Sequence, residues 1–262
     1  MDFPLSRTAA SALRVVESSP STNSELLALA TDPGIPSFSA VLTLDQTAGR
    51  GRLDRTWVAP AGTALALSVL VRAALGSPLG SWLPLLAGLN LAEALDSLAP
   101  GRVGIKWPND LLLDGRKVCG ILVEVAPNGR DAVIGCGINL AQTAEQLPVE
   151  TATSFALAGA PVSPEGLDAV VAAYLGRLRD EIERPGPVSR LRSRIVARCS
   201  TIGRRVRVAL SDGSTLIGTA TGIDASGRLE VERDDGSAIA VAVGDVTHVR
   251  PDDGGWGVSR AT

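Results

Sequence analysis

The sequence predicts an α+β fold with a small all-β domain at its C-terminal end. Up to about residue 200, apolar runs of strand length alternate with segments of helical periodicity, whereas the remainder consists of short β-rich runs divided by Asp, Gly and Ser, as in a small barrel. The chain has 262 residues, of which 45% are hydrophobic, enough for one good core. We therefore predict domains at 1–200 and 201–262 and expect a frayed tail after about residue 250.

The elements of the larger domain follow in chain order, starting with a short helix. Residues 21–30 predict this helix, because Thr22 and Glu25 have the spacing of a capping box. The apolar runs at 39–46 and 63–73 predict strands. Helix and strand signals thus alternate from the start of the domain.

A buried helix, a hairpin and an amphipathic helix come next. The almost wholly apolar run Leu79–Leu98 predicts the buried helix. Two further strand signals flank Asn128-Gly129, a pair that favours a tight hairpin turn. Ser163-Pro164 marks the start of the amphipathic helix. Its apolar face comprises Leu167, Val170, Val171, Tyr174, Leu178 and Ile182.

Composition excludes several classes of function. The net charge of −3 argues against a protein that grips a nucleic-acid backbone. The three cysteines (Cys119, Cys136 and Cys199) are an odd number without a CxxC pair, which favours a reducing cytosol and a core role for the thiols. No stretch reaches the roughly 18 apolar residues that a membrane span requires. We therefore expect a cytoplasmic protein without nucleic-acid or membrane partners.

One short cationic loop stands out, within the segment QTAGRGRLDRTW. Gly49 and Gly51 would let backbone N–H groups approach an anion, and Arg50 and Arg52 supply permanent charge, which suits a phosphate or carboxylate. The segment fits neither the dinucleotide fingerprint nor the P-loop. A mobile, solvated surface loop explains the same residues equally well. Trp57 offers a flat face for a base, although packing in the core is the commoner role of tryptophan.

A second polar cluster lies in the apolar segment GIKWPNDLLLDGRKVCGILVE. Lys106, Asn109, Asp110 and Lys117 each need an opposite charge or a ligand if they are buried there. An ordinary ion pair between Lys106 and Asp110 is an equally good explanation of the motif by itself. Gly120, among bulky strand residues, indicates either a close ligand approach or a β-bulge.

Taken together, four motifs resemble those of the biotin protein ligases. They are STN at 21–23, QTAGRGRLDRTW at 46–57, KWPNDLLLDGRKVCGILVE at 106–124 and GCGINL at 135–140. The resemblance covers roughly residues 20 to 200, with the small β domain in its expected place. It implies a mixed β-sheet with helices packed on one side, as in class II aminoacyl-tRNA synthetases, followed by an SH3-like barrel.

The resemblance also implies an activity and a set of site residues. Such enzymes use ATP and Mg²⁺ to make biotinyl-5′-adenylate, releasing pyrophosphate, and then pass biotin to one lysine of a carboxylase's carrier domain. The residues expected to bind biotin are Ser21, Thr22, Asn23, Gln46, Arg50, Gly51, Arg52, Lys117 and Gly120. The residues expected to bind the nucleotide are Trp57, Asn109, Arg55 and, more weakly, Asn139. The catalytic candidates are Lys117 and Arg52, which neutralise the reacting anions, and Asp110, which positions the incoming lysine.

The sequence also departs from the family pattern. Only about twenty residues precede Ser21, fewer than a three-helix DNA-binding unit needs, so we expect the monofunctional form without that domain. The family loop often has glycine where this chain has Asp54. His248 is the only histidine, and we expect no protein-bound structural metal.

Two alternative functions remain, a lipoate or octanoate ligase or transferase of similar fold and a catalytically silent biotin-binding adaptor. The cationic loop argues against the adaptor, which would need only the pocket. The resemblance is also compatible with a homodimer.

Overall fold

We analysed a computed structural model, which describes residues 1–53, 55–210, 212–242 and 244–249. The α-helices are α1 (Pro4–Ala9), α2 (Thr22–Leu29), α3 (Leu83–Leu95), α4 (Pro164–Glu183) and α5 (Val188–Arg198). The strands up to residue 139 are β1 (Ala12–Val15), β2 (Ser39–Thr43), β3 (Gly49–Arg50), β4 (Thr56–Trp57), β5 (Ala64–Val71), β6 (Val103–Lys106), β7 (Asp110–Leu113), β8 (Arg116–Val125) and β9 (Ala132–Asn139). The later strands are β10 (Arg205–Ala209), β11 (Thr215–Ile223), β12 (Leu229–Glu232), β13 (Ala238–Val241) and β14 (Asp245–His248). Asp54 and the expected frayed tail lie outside the described residues.

Seven strands form a mixed sheet in the order β1-β2-β5-β9-β8-β7-β6. The pair β1–β2 is parallel, and the other neighbours are antiparallel. Helix α3 packs on one face with α4 and α5 against it, in one large core. Helix α2 packs on the other face, where Leu26 meets Val41 and Leu70 in a smaller cluster. The predicted mixed sheet with helices is confirmed, but the helices lie on both faces and not on one side as expected, because α2 covers the face opposite α3.

The smaller sheet is antiparallel and has the order β13-β12-β11-β10-β14. It confirms the expected all-β character of the C-terminal region. Trp107, which is 2% exposed, donates from Nε1 to the carbonyl of Gly227 at 3.0 Å and so joins the two sheets. Arg192 on α5 donates to the carbonyl of Ile223, a second connection.

The predicted cap of α2 is wrong by one residue. Ser21, not Thr22, is the N-cap, and its Oγ accepts from the Ser24 backbone N–H at 3.3 Å. Glu25 instead accepts from the Ser19 hydroxyl at 2.5 Å, so the capping box expected for Thr22 and Glu25 does not form. Since Ser21 takes the capping role, the Thr22 side chain is free to point into the site.

The hairpin between β8 and β9 is confirmed, but its turn is wider than expected. The last strand pair is Val125 with Ala132, and Asn128 bridges the loop by accepting from the Asp131 backbone N–H at 3.0 Å. Of the two turn residues, Gly129 alone has a positive φ, 66°, so the tight two-residue turn is absent.

The other two predicted helices, α3 and α4, are present apart from their bounds, whereas α1 and α5 were not predicted. The run Leu79–Leu98 contains a short 3₁₀ turn before α3 itself begins at Leu83. Helix α4 begins at Pro164 with Ser163 as its N-cap. No helix in the described part of the chain is long and apolar enough to cross a membrane.

Candidate active site

A cavity of about 640 Å³ opens on the α2 side of the large sheet. Every residue that the resemblance assigns to the site lines it: Ser21, Thr22, Asn23, Gln46, Arg50, Gly51, Arg52, Arg55, Trp57, Asn109, Asp110, Lys117, Gly120 and Asn139. The motifs therefore meet in space, although they are up to about a hundred residues apart in the chain. Pro148, Val149 and Asp245 also line the cavity and were not expected from the sequence.

The cationic loop is folded as a small hairpin. β3 pairs with β4, and the Gly51 N–H donates to the Arg55 carbonyl at 2.6 Å. A Cβ at Gly49 would lie 2.6 Å from the Trp57 carbonyl oxygen, so this position requires glycine. The described part of the loop is thus an ordered hairpin rather than a solvated coil, and Gly49 serves its packing.

At the α2 end, neutral side chains form a hydrogen-bonded floor. The Gln46 Oε1 accepts from the Thr22 backbone N–H at 2.9 Å. Ser68 Oγ lies 2.6 Å from Asn23 Oδ1 and 2.8 Å from Thr22 Oγ1. A Cβ at Gly135 would lie 2.2 Å from Asn23 Oδ1, so glycine is needed for Asn23 to reach its place. This floor is held by the sheet and by α2.

Glu124 links this neutral floor to the loop. Its Oε2 accepts from Asn23 Nδ2 at 2.7 Å and from Arg50 at 2.8 Å. Arg50 is therefore anchored to β8 and is not free in solvent. Sequence reasoning missed Glu124, although a lone acidic residue at the end of the apolar run GILVE could have indicated it.

At the other end, Lys117 and Asp110 form an ion pair, with Nζ 2.7 Å from Oδ1. The alternative pair of Lys106 with Asp110 is therefore not what the structure contains. β7 and β8 shift register between Leu111 and Leu112, which leaves Val118 as an extra residue. Such a bulge re-aims side chains, and Lys117 turns toward the cavity beside Asp110.

Lys106 remains close to this pair without joining it. Burial lowers the pKa of Lys106, and the positive charge of Lys117 lowers it further, while Asp110 opposes the change. Within the described ranges, Lys106 has no carboxylate within ion-pair distance, and it does not line the cavity. It adds to the positive potential behind Asp110.

Trp57 lies against the glycines of the sheet. A Cβ at Gly137 would be 2.6 Å from Trp57 Cε2, and one at Gly120 would be 3.3 Å from Cζ3. Gly120 thus makes room for the indole ring and for Lys117, and the bulge that was considered for it lies two residues earlier. Since Trp57 is only half-buried, part of its ring faces the cavity.

Asn109 and Asn139 are both hydrogen-bonded, but they differ in burial: Asn139 is buried and Asn109 is half-buried. Asn139 is 4% exposed, donates to the Thr153 carbonyl at 2.9 Å and accepts from Gln142 at 2.9 Å, so its amide holds the following loop. Asn109 accepts from Arg52 Nη1 at 2.8 Å and donates to the Ile121 carbonyl. Asn109 therefore positions a guanidinium in the cavity.

Gly244 and Asp245, from the region of the small sheet, contact two arginines of the cavity. Arg52 Nη2 donates to the Gly244 carbonyl at 3.3 Å, and Arg55 forms an ion pair with Asp245. Burial would raise the pKa of Asp245, but the hydrogen bond and charge of Arg55, with Lys106 and Arg52, lower it overall. The C-terminal region therefore contacts Arg52 and Arg55, which sequence reasoning did not predict.

Arg52 and Arg55 keep their charge at neutral pH. Burial lowers the pKa of Arg52, an effect that Asp245 and Asp110 oppose, and arginine starts from so high a value that it stays protonated. The hydrogen bond and charge of Asp245 raise the pKa of Arg55. Within the described ranges, no three His, Cys, Asp or Glu side chains form a group that could hold a metal ion.

The three cysteines are free and buried. Burial raises the pKa of Cys136 to about 12, although it lines the cavity, and its Sγ lies 3.5 Å from the Tyr174 hydroxyl. Burial also raises the pKa of Cys119 well above its ordinary value. Both thiols stay protonated, so neither is a nucleophile at neutral pH.

Comparison with known proteins gives consistent matches over most of the chain. The Biotin/lipoate A/B protein ligase family matches residues 15–139, and the Biotin protein ligase C terminal domain matches residues 201–249. The biotin--[acetyl-CoA-carboxylase] ligase of Mycobacterium tuberculosis is 37% identical, over 91% of this chain and 89% of the relative. The same-named enzyme of Paracoccus denitrificans is 36% identical, over 80% of this chain and 89% of the relative.

A solved structure supports the fold. The biotin protein ligase from Aquifex aeolicus, in complex with biotin and ATP, superposes with a TM-score of 0.74 over 92% of this chain and 99% of that one. At 24% identity, this likeness concerns the fold.

Proposed function

The chain belongs to the biotin protein ligases, and from this premise we propose that it activates biotin with ATP as biotinyl-5′-adenylate and transfers biotin to a lysine of a carboxyl carrier domain. The observation that carries the proposal is one cavity with a neutral hydrogen-bonding floor at one end and permanent cations at the other. The relatives' names favour biotin over lipoate and a working ligase over a silent adaptor.

The neutral end suits the ureido ring of biotin. We assign the ring to Ser21, Thr22, Asn23 and Gln46, whose hydroxyl and amide groups can match its N–H and C=O groups. Apolar walls such as Ala66 and Leu122 suit the thiophene ring and valeryl chain. Arg50, Gly51 and Gly120 complete the biotin side, with Arg50 fixed by Glu124.

In the first half-reaction, the biotin carboxylate attacks the α-phosphate and pyrophosphate leaves. Two anions must meet, so positive charge is needed where the new P–O bond forms and along the departing pyrophosphate. Lys117 and Arg52 supply it, and Arg55 adds charge at the cavity edge. We assign Trp57 and Asn109 to the nucleotide, and Asn139 to the wall beneath it, because Asn139 is 4% exposed whereas Asn109 is half-buried.

In the second half-reaction, the carrier lysine attacks the carbonyl of the mixed anhydride, an amide forms and AMP leaves with the bonding electrons. The attacking nitrogen must lose a proton. Asp110 is placed to orient the amine and to receive that proton, because its carboxylate lies in the cavity 2.7 Å from Lys117. As the amine arrives, Lys117 can remain with the phosphate.

Mg²⁺ belongs to this reaction as part of the ATP substrate. In the described residues no carboxylate cluster forms a resident metal site, so we propose that the ion enters on the phosphates. The donor set of the cavity, rich in cations, fits a nucleotide that brings its own metal.

Several finer expectations are part of the proposal. We propose a homodimer, a cytoplasmic location and a division of the chain into 1–200 and 201–262. Three free, buried cysteines suit a reducing compartment. The separate strand orders of the two sheets support the division. The partner is the carrier domain of a biotin-dependent carboxylase.

The direct test is a mass measurement on the product. Purified protein is incubated with Mg-ATP, biotin and a carrier domain, and we expect one biotin to be added to the carrier's target lysine. Replacing that lysine with arginine is the control, and replacing biotin with lipoate tests the alternative. An unmodified carrier, together with no pyrophosphate released, would contradict the proposal.

A further inference from the structure

A second cavity, of about 440 Å³, lies where α3, α4 and α5 meet. These helices cover the sheet face opposite α2, and no residue of this cavity lines the first one. Its size is within the range of small-molecule sites. Four arginines line it: Arg177, Arg184, Arg190 and Arg194.

Carboxylates neutralise part of this positive charge. Arg177 lies 2.9 Å and Arg194 lies 3.0 Å from Glu93, and Arg194 also pairs with Glu181. The side chains of the two acids are only partly exposed, 20% for Glu93 and 24% for Glu181. Both guanidinium groups are therefore fixed in direction, and both residues line the cavity.

The other two arginines leave an excess of positive charge. Arg184 pairs with Asp180 at the C-terminal end of α4. Arg190, in the first turn of α5, forms no ion pair with any residue in the described part of the chain. Four guanidinium groups thus share the carboxylates of Glu93, Asp180 and Glu181, so the cavity has a net positive charge and suits an anion.

Asn90 on α3 has a buried hydrogen-bond acceptor, which narrows the kind of anion that fits the cavity. Asn90 is 1% exposed, and its Nδ2 donates to the Leu86 carbonyl at 2.9 Å. Its Oδ1 is buried and, within the described ranges, has no donor. Exchanging the two amide atoms would point Oδ1 at the Leu86 carbonyl oxygen, so the orientation is fixed. A ligand that fills this cavity should bring a hydrogen-bond donor to Asn90.

We propose that this cavity binds a small phosphate-bearing molecule, with its anionic oxygens on Arg190 and the neighbouring arginines and a hydroxyl hydrogen donated to Asn90 Oδ1. The guanidinium fork matches phosphate oxygens in bidentate geometry. A protonated phosphate oxygen or an adjacent alcohol supplies the donor, whereas sulfate, a pure acceptor at neutral pH, would leave Asn90 unsatisfied. Phosphate should therefore bind in preference to sulfate.

The test compares inorganic phosphate with sulfate as stabilising ligands at equal ionic strength. A ligand of the folded state raises the melting temperature by mass action, so the concentration dependence of this rise gives an apparent affinity. We expect phosphate to be the better ligand of the wild-type protein. Arg190→Gln should weaken phosphate about tenfold, since it removes a charge-assisted hydrogen bond. Arg233→Gln, which removes the same charge from an exposed turn of the small sheet, is the matched control and should match the wild type.

Asn90→Leu then isolates the donor requirement. This variant keeps the side-chain size and should bind phosphate and sulfate equally. Equal effects of the two anions on the wild type, or equal effects of Arg190→Gln and Arg233→Gln on phosphate, would overturn the proposal. Carrier biotinylation is measured separately on the same variants, and we expect it to be unchanged, so this result and the proposed ligase activity are judged independently.

Discussion

The two ends of the first cavity are built in different ways. The α2 end consists of neutral hydrogen bonds among Thr22, Asn23, Gln46 and Ser68, all held by the large sheet and α2. The opposite end consists of charges. Lys117 and Asp110 belong to the large sheet, Arg55 pairs with Asp245, and Arg52 donates both to Asn109 at 2.8 Å and to the Gly244 carbonyl at 3.3 Å. The neutral end is therefore built by the large sheet and α2 alone, whereas the charged end depends in part on contacts from the C-terminal sheet.

The largest expected effect is at the charged end. Lys117→Met removes an ammonium group from the place where the carboxylate and phosphate meet and should slow adenylate formation by roughly 10²- to 10³-fold. Because we assign biotin's ring to the other end, the affinity for biotin alone should change much less. Pyrophosphate release and biotin calorimetry measure the two quantities. Equal losses in both would show that the ends are not separate.

Asp110→Asn should separate the two half-reactions. Transfer from preformed biotinyl-adenylate to the carrier should slow by roughly 10²-fold, because the amide cannot take the proton of the amine. Single-turnover transfer, followed by mass spectrometry, gives this rate directly. An unchanged rate would remove Asp110 from the transfer step and leave it with the role of holding Lys117.

Gly135→Ala should damage the neutral end alone. The added Cβ would lie 2.2 Å from Asn23 Oδ1, so the floor must shift. We expect weaker biotin binding and a loss of about 1–3 kcal/mol in the free energy of unfolding, as for other overpacked sites. Gly176→Ala, where a Cβ meets nothing within 4 Å, is the matched control. ATP binding measured alone should be kept, and its loss would contradict the division into two ends.

Asp245→Asn should weaken the contact between the C-terminal sheet and the charged end of the cavity. It weakens the pair with Arg55, and we expect a rise in the KM for ATP of about fivefold, with faster proteolysis of the 49–55 hairpin. Asp234→Asn, which breaks the exposed pair with Arg205 in the same sheet, should leave both unchanged. If the two variants behave alike, the docking of the sheet does not control the loop.

The smallest effect concerns pH at the junction of the two sheets. Burial, with the charges of Lys106 and Arg204, lowers the pKa of His248 to about 4. The unfolded chain therefore takes up a proton at a higher pH than the folded one, and folding stability falls as the pH drops from about 6.5 toward 4. The free energy of unfolding falls between about pH 6.5 and pH 5 in the wild type. In His248→Gln we expect this fall to be smaller by about 1 kcal/mol, measured by urea unfolding. Identical pH slopes in both proteins would contradict the shift.

The sequence predicted the residues of the cavity better than their contacts. Local motifs indicate the loop and the polar cluster near Lys117, but each motif by itself also fits a solvated loop or an ordinary ion pair. The site residues were assigned by the resemblance of the four motifs together to the biotin protein ligases. The partners of these residues are distant in sequence. Asp245 meets Arg55 across about 190 residues, and no local pattern indicates that contact.

Other errors came from choosing between neighbouring residues of similar chemistry. Ser21 and Thr22 can both cap a helix, and only the packing of Thr22 against Ser68 decides between them. Lys106 and Lys117 both lie within reach of Asp110 by sequence, and the bulge at Val118 decides in favour of Lys117. Such choices depend on tertiary geometry that propensity does not contain.

A crystal structure with biotin and ATP tests the two-ended cavity most directly. We expect the ureido ring within hydrogen-bond distance of Thr22, Asn23 or Gln46, and the carboxylate and α-phosphate within contact of Lys117 and Arg52. A structure in which those two cations face solvent while both ligands lie elsewhere would contradict the account.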